Sequence, residues 1–171
     1  MPNNLSTLFP LFSENLPVEN YEFAPPPPRK RFFVPKLSFR LLTRRIYLEM
    51  LKAIRGYGEL EAIAPNTDKE VIKNLRNQME ILSLAMLNIY GQTAEHNKVP
   101  FFAGGGINLS REYQTALGQM YDRVFHIHNL VFELIGKSPS TEISNALIIV
   151  YTNLKSQLRT LNELKNALGT F

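Results

Sequence analysis

With 171 residues, 44% of them hydrophobic, the chain can bury one real core, and its composition is neither that of a disordered protein nor of a membrane protein. It has no Cys, which excludes disulfides, thiolate catalysis and Cys-ligated zinc or iron–sulfur sites, and no apolar run approaches the ~18–20 residues of a membrane span. The formal net charge of +4 is local: residues 1–28 hold three acids and no base, residues 29–45 hold seven bases and no acid, and residues 46–171 hold twelve of each.

Residues 1–36 read as an extended arm with a Pro-rich basic linker, and residues 37–171 as a helical domain. "NLSTLFPLF" (4–12) is apolar for an arm, and Leu8, Phe9 and Phe12 are its candidate contacts with the domain, a second subunit or another protein. In "PPPPRKRFF" (25–33) four prolines impose a polyproline II spacer. The bases Arg29, Lys30, Arg31 and Lys36, interleaved with Phe32 and Phe33, suit a solvated linker, nucleic acid, or an anionic membrane at roughly 1 kcal/mol per base. Pro25, Pro28 and Lys30 also fit a loose SH3-ligand pattern. No basic region followed by a clean apolar stretch opens the sequence, so a cytoplasmic location is expected.

The later prolines, at 35, 65, 100 and 139, bound four helix windows. Helix A is predicted over about Ser38–Ala64, with Ile46, Met50, Ala53, Tyr57, Leu60 and Ala64 on one face. Gly56 and Gly58 within it each cost ~1 kcal/mol relative to Ala and imply close packing or an irregularity. Helix B is predicted to open on a capping box of Thr67 and Glu70, to bury Ile72, Leu75, Met79, Leu82, Met86 and Ile89, and to stop at Gly91. Helix C should run from Asn108 to Gly136, with Leu109, Tyr113, Ala116, Met120, Ile127 and Leu134 on or near one face. Helix D should take Ser138 as N-cap and Pro139 at its first position, carry Ile143, Leu147, Val150, Leu154, Leu161 and Leu168, and close at Gly169.

Short links make A–B and C–D antiparallel hairpins. The B–C link, "QTAEHNKVPFFAGGGIN", has 17 residues. Fully extended it reaches ~55 Å, against ~36 Å for a 24-residue helix, so it can cross the bundle end to end. The fold class is therefore all-α: two antiparallel hairpins joined by a long crossover, a ferritin-like four-helix bundle.

"AIAPNTDKEVIKNLRNQMEILSLAMLNIYG", "ALGQMYDRVFHIHNLVFELIG" and "LIIVYTNLKSQLRTLNEL" resemble the first hairpin, third helix and fourth helix of rubrerythrin-like members of the ferritin-like superfamily. The resemblance covers roughly residues 40–168. It implies two metal ions held by one Glu on each of helices A and C and a Glu-x-x-His on each of B and D. At those positions this chain has Met79 and Leu82 on B, Gln119 on C, Asn153 and Ser156 on D, and Met50 on A, or Glu49 if the register is one residue off. No acid anywhere is followed three residues later by His, and the histidines, His96, His126 and His128, do not pair with acids at that spacing. Met, Leu, Gln, Asn and Ser are poor ligands for iron or manganese.

The expectation is thus a bundle with no metal and no cofactor. Buried carboxylates are tolerable only beside compensating charge, so apolar residues or neutral amides are the stable replacements once the metal is lost. Gln119, Asn153 and His126 either hydrogen-bond across the old site or face solvent and crossover. "FFAGGG" (101–106) lacks the Lys-Ser/Thr of a P-loop, and no nucleophile–base pair or nucleotide fingerprint is present. Three functions remain open. The leading one is a structural or interaction protein that self-associates, most simply as a dimer, and contacts a protein partner through its arm. The second is a degenerate di-metal protein, binding weakly through Glu49, Gln119 or a histidine. The third is a basic-segment binder of nucleic acid or anionic membrane. Relatives of this kind occur in spore-forming bacteria, and a sporulation role would follow by analogy alone.

Overall fold

A computed structural model describes residues 38–93 and 107–169. They form four α-helices: α1 (Phe39–Ile63), α2 (Asn66–Thr93), α3 (Tyr113–Ile135) and α4 (Thr141–Leu168). No strand occurs among the described residues, and no helix among them is long and apolar enough to cross a membrane. The expected arm of residues 1–36 and most of the crossover (94–106) lie outside the described residues.

Each helix forms because an apolar stripe recurs at helical spacing, and serine side chains cap the N-termini of α1 and α4. Ser38 caps α1, its hydroxyl accepting from the Leu41 amide at 3.3 Å. Leu42, Ile46, Met50, Ala53, Tyr57 and Leu60 are all fully buried along it. Pro65 ends it and opens the next helix, its carbonyl accepting from the amides of Asp68 and Lys69. The expected capping box is not formed: Thr67 lies inside α2 and its hydroxyl donates to Asp68. Asp68 instead supplies the negative charge that the first turn favours, and it accepts from the Tyr113 hydroxyl at 2.9 Å. All six residues expected on the inner face of α2 are buried, and the helix passes through Gly91 without stopping.

α3 begins at Tyr113, five residues later than the sequence suggests. The segment before it is held by side chains: Glu59 accepts from the Leu109 amide, Gln119 from the Ser110 amide, and Ser110 from the Glu112 amide. These bonds satisfy backbone donors that have no partner within a helix. The N-cap of α4 is Ser140, not Ser138, so Pro139 precedes the cap. The Ser138 hydroxyl donates to the Ser140 carbonyl and shapes the turn.

α1 packs on α2 and α3, and α4 packs on the same two helices; the contact of α2 with α4 is the least extensive of the four. The core sits between them, and its largest members are Tyr57, Met50, Met79, Met86 and Met120 beside Leu and Ile. Gly56 is there for space: a β-carbon on it would lie 2.5 Å from Met120 Sδ and 3.4 Å from Ile107 Cδ1. Gly58 has no such neighbour, its nearest being an Arg76 nitrogen at 3.9 Å.

The two glycines should therefore respond differently to the same substitution. Gly58→Ala is expected to gain about 0.5–1 kcal/mol of stability from helix propensity. Gly56→Ala gains the same propensity but must displace the buried Met120 thioether, giving no gain or a net loss. Urea unfolding of the two variants beside the parent chain checks the contrast.

Candidate functional site

At the positions that the resemblance reserves for metal ligands, α1 presents Met50 and α2 presents Met79 and Leu82, all buried. On α3 and α4 the structure corrects the expected register by one residue. Gln119 is exposed and accepts from the Ser110 amide at 2.8 Å. Asn153 is exposed and donates to the Ile149 carbonyl of its own helix, and Ser156 is exposed as well. The inward positions belong to Met120, Leu154 and Gln157, each fully buried. A hydrogen-bonded network of Gln119, Asn153 and His126 inside the helices is therefore not formed, since His126 is exposed too. The apolar Met120 and Leu154 take two of the inward positions and the hydrogen-bonded Gln157 the third, while solvent and nearby backbone satisfy the displaced amides.

The interior does hold one polar pair, which the sequence reading did not identify. Tyr57 on α1 donates its hydroxyl to Gln157 Oε1 on α4 at 2.8 Å, and Gln157 Nε2 reaches the Leu75 carbonyl on α2 at 3.4 Å. Both side chains are fully buried. Burial pushes the Tyr57 hydroxyl far above the ordinary phenol range, so it stays a neutral donor. The signal lay in the spacing: Gln157 follows Leu154 by three and precedes Leu161 by four, an inner-face position despite its polar side chain.

Glu49, Gln119 and His126 are brought together, but on the surface. With Asp122 and Arg123 they line an open groove of about 370 Å³. Asp122 lies four residues before His126, a one-face spacing that points to this grouping. Glu49 is already compensated there, by Lys52 at 2.8 Å and Arg123 at 3.3 Å. Among the described residues no three His, Cys, Asp or Glu side chains are grouped so as to hold a metal ion.

A second surface feature is a row of rings on α3 and α4. Tyr121 stacks near Phe125, Phe125 near His128, and His128 on Tyr151 at 4.3 Å between centroids. His128 Nε2 is buried without a hydrogen-bond partner, and Nδ1 lies 3.3 Å from Asn129 Oδ1. Burial lowers the pKa of this imidazole; the Asn129 contact raises it, and the charge of Lys155 lowers it. The expected partner contacts Leu8, Phe9, Phe12, Arg29, Lys30, Arg31, Phe32, Phe33 and Lys36 lie outside the described residues. Of the seven-base segment, Arg40, Arg44 and Arg45 are described. Arg40 lies over the Tyr90 ring, 5.3 Å from its centroid, whereas Arg44 and Arg45 are exposed.

Removing one member of the interior pair leaves the other unsatisfied, so Tyr57→Phe and Gln157→Leu should each destabilise by about 1–3 kcal/mol. The double variant should lose less than the sum, a coupling that a double-mutant cycle in denaturant measures directly. For His128, the folded pKa lies below the ordinary 6.5. The unfolded chain therefore takes up the proton first as pH falls. Stability is retained above pH 6.5 and declines as pH drops from there toward the folded pKa. His128→Phe should flatten this part of the pH profile, as denaturation at pH 7.5 and 5.5 would reveal.

Compared with protein-family models, with curated proteins and with solved structures, the chain has no match.

Proposed function

We propose that this chain is a non-catalytic, ferritin-like four-helix bundle that acts as a structural or interaction protein and associates with copies of itself. The observation that carries the reading is the interior: Met50, Met79, Met120 and Leu154 are fully buried where metal-binding bundles of that class would hold carboxylates and imidazoles. The buried Tyr57–Gln157 pair is neutral and hydrogen-bonded. An interior of this kind has neither the charge to attract a cation nor the acid–base groups to use one.

The order of contacts supports the ferritin-like arrangement. Arg40, near the start of α1, meets Tyr90, near the end of α2, and Glu61, near the end of α1, meets Arg76, in the first half of α2. Glu59 meets Leu109 while Glu49 meets Arg123, so α1 and α3 also run oppositely. α2 and α3 then run the same way, as one long crossover between two hairpins requires. The degenerate di-metal alternative draws on Glu49, Gln119 and His126. It would need Glu49 to exchange two cationic partners for an ion.

Elemental analysis of the purified full chain tests the reading. Iron, manganese and zinc should be far below one per chain, and the melting temperature should be the same with chelator and with added Fe(II) or Mn(II). A stoichiometric ion released only on unfolding would contradict it.

A further inference from the structure

The outer faces of α2 and α4 change character halfway along. In α2, Asn66–Glu80 carries six charged residues, and in α4, Lys155–Leu168 carries four. Ile81–Gln92 of α2 and Ile143–Leu154 of α4 carry none among their 24 residues, Glu142 in the first turn of α4 being the charge that flanks them. At the chain's average of 20% charged residues, about five would be expected there. The two charge-free stretches lie side by side. Between them runs a groove of about 280 Å³, lined by Ile81, Leu82, Ala85, Ala146, Ile149 and Val150, with amides of Gln78 and Asn153 at its edge.

This face also projects outward. Ile81 is 67% exposed, Leu84 63% and Ile149 63%. Isolated exposed aliphatics are ordinary, but Ile81 and Ile149 flank one groove, with Leu84 in the same uncharged stretch, and such a grouping marks an interaction surface. The geometry points to a second copy of this chain as the occupant, packed through this α2–α4 face about a two-fold axis. A two-fold interface brings a patch onto itself, so any charge near the axis would approach its own copy. A face without charges avoids that repulsion. It also carries both ridges, at Ile81 and Ile149, and a hollow at Ala85 and Ala146, so the ridges of one copy can enter the hollow of the other. A partner of strong charge would find nothing here to pair with.

The patch is ~18 Å long by the helical rise and ~20 Å wide for two adjacent helices. That is ~400 Å² on each copy and ~800 Å² in all, less than the ~1,200–2,000 Å² of a stable interface, so the dimer is weak, transient and concentration-dependent. The assignment rests on reading the chain as an interaction protein and names the surface and the partner.

The test is sedimentation equilibrium of the full chain over a wide concentration range. The parent chain should dimerise reversibly. Ile81→Glu and Ile149→Lys should each weaken self-association by more than about tenfold. Glu70→Lys, about three turns from Ile81 on the charged half of α2, should leave it unchanged. All three positions are exposed, so circular dichroism and melting should match the parent and separate folding from association. A parent chain that stays monomeric at the highest concentrations overturns the assignment. So does a dimer that neither aliphatic substitution weakens, or a monomer that binds lipid vesicles through these same residues. None of these outcomes touches the metal analysis, which tests the interior separately.

Discussion

The hydrogen bond from Tyr57 to Gln157 spans two helices, α1 and α4, that are not packed directly on each other. It crosses the interior, and the second contact, from Gln157 to the Leu75 carbonyl, brings α2 into the same node. Both side chains are fully buried, so the pair is admissible only because donor and acceptor satisfy each other away from water. A charged residue in either position would need a buried partner of opposite sign, and none of the surrounding core residues supplies one. Neutrality of the interior is the constraint to which the remaining structure conforms.

Charge is accordingly pushed to the outside and compensated there. Glu49 sits one residue from the buried Met50, yet its carboxylate turns to Lys52 and Arg123. Glu61 pairs with Arg76 beside the α1–α2 link. Exposed and half-exposed pairs of this kind contribute about 0–1 kcal/mol each, so they orient helices more than they hold them. The apolar stripes do the holding, and the methionines suit that task because an unbranched thioether fills irregular gaps. Met120 shows it, its sulfur lying against the bare backbone of Gly56.

Much of this was legible in the sequence because helical periodicity is a long-range, redundant signal. The inner face of α2 was readable residue by residue, from Ile72 to Ile89. Helix ends were less legible, since several residues compete for each cap: Ser140 displaced Ser138, and the Pro65 carbonyl with Asp68 took the place of the Thr67 box. The candidate site was half legible. Met50, Met79 and Leu82 are interior as read, whereas Gln119, Asn153 and Ser156 each stand one residue before the inward position. A one-residue step is 100° around a helix, enough to carry a side chain from core to solvent. Gln157 went unread because a polar letter on an apolar stripe gives no hint of the tyrosine 100 residues away that satisfies it.

The described core is apolar or neutral, and the surface around it is uneven: a ring row on α3 and α4, a compensated polar groove between α1 and α3, and charge-free stretches of α2 and α4. The methionines report on the interior directly. Four of the five, Met50, Met79, Met86 and Met120, are fully buried. In methyl-labelled full-length protein, their NMR signals should stay sharp and unshifted when one equivalent of Mn(II) is added. Selective broadening of the Met50, Met79 and Met120 methyls at that ratio would place an ion among the helices and contradict the account.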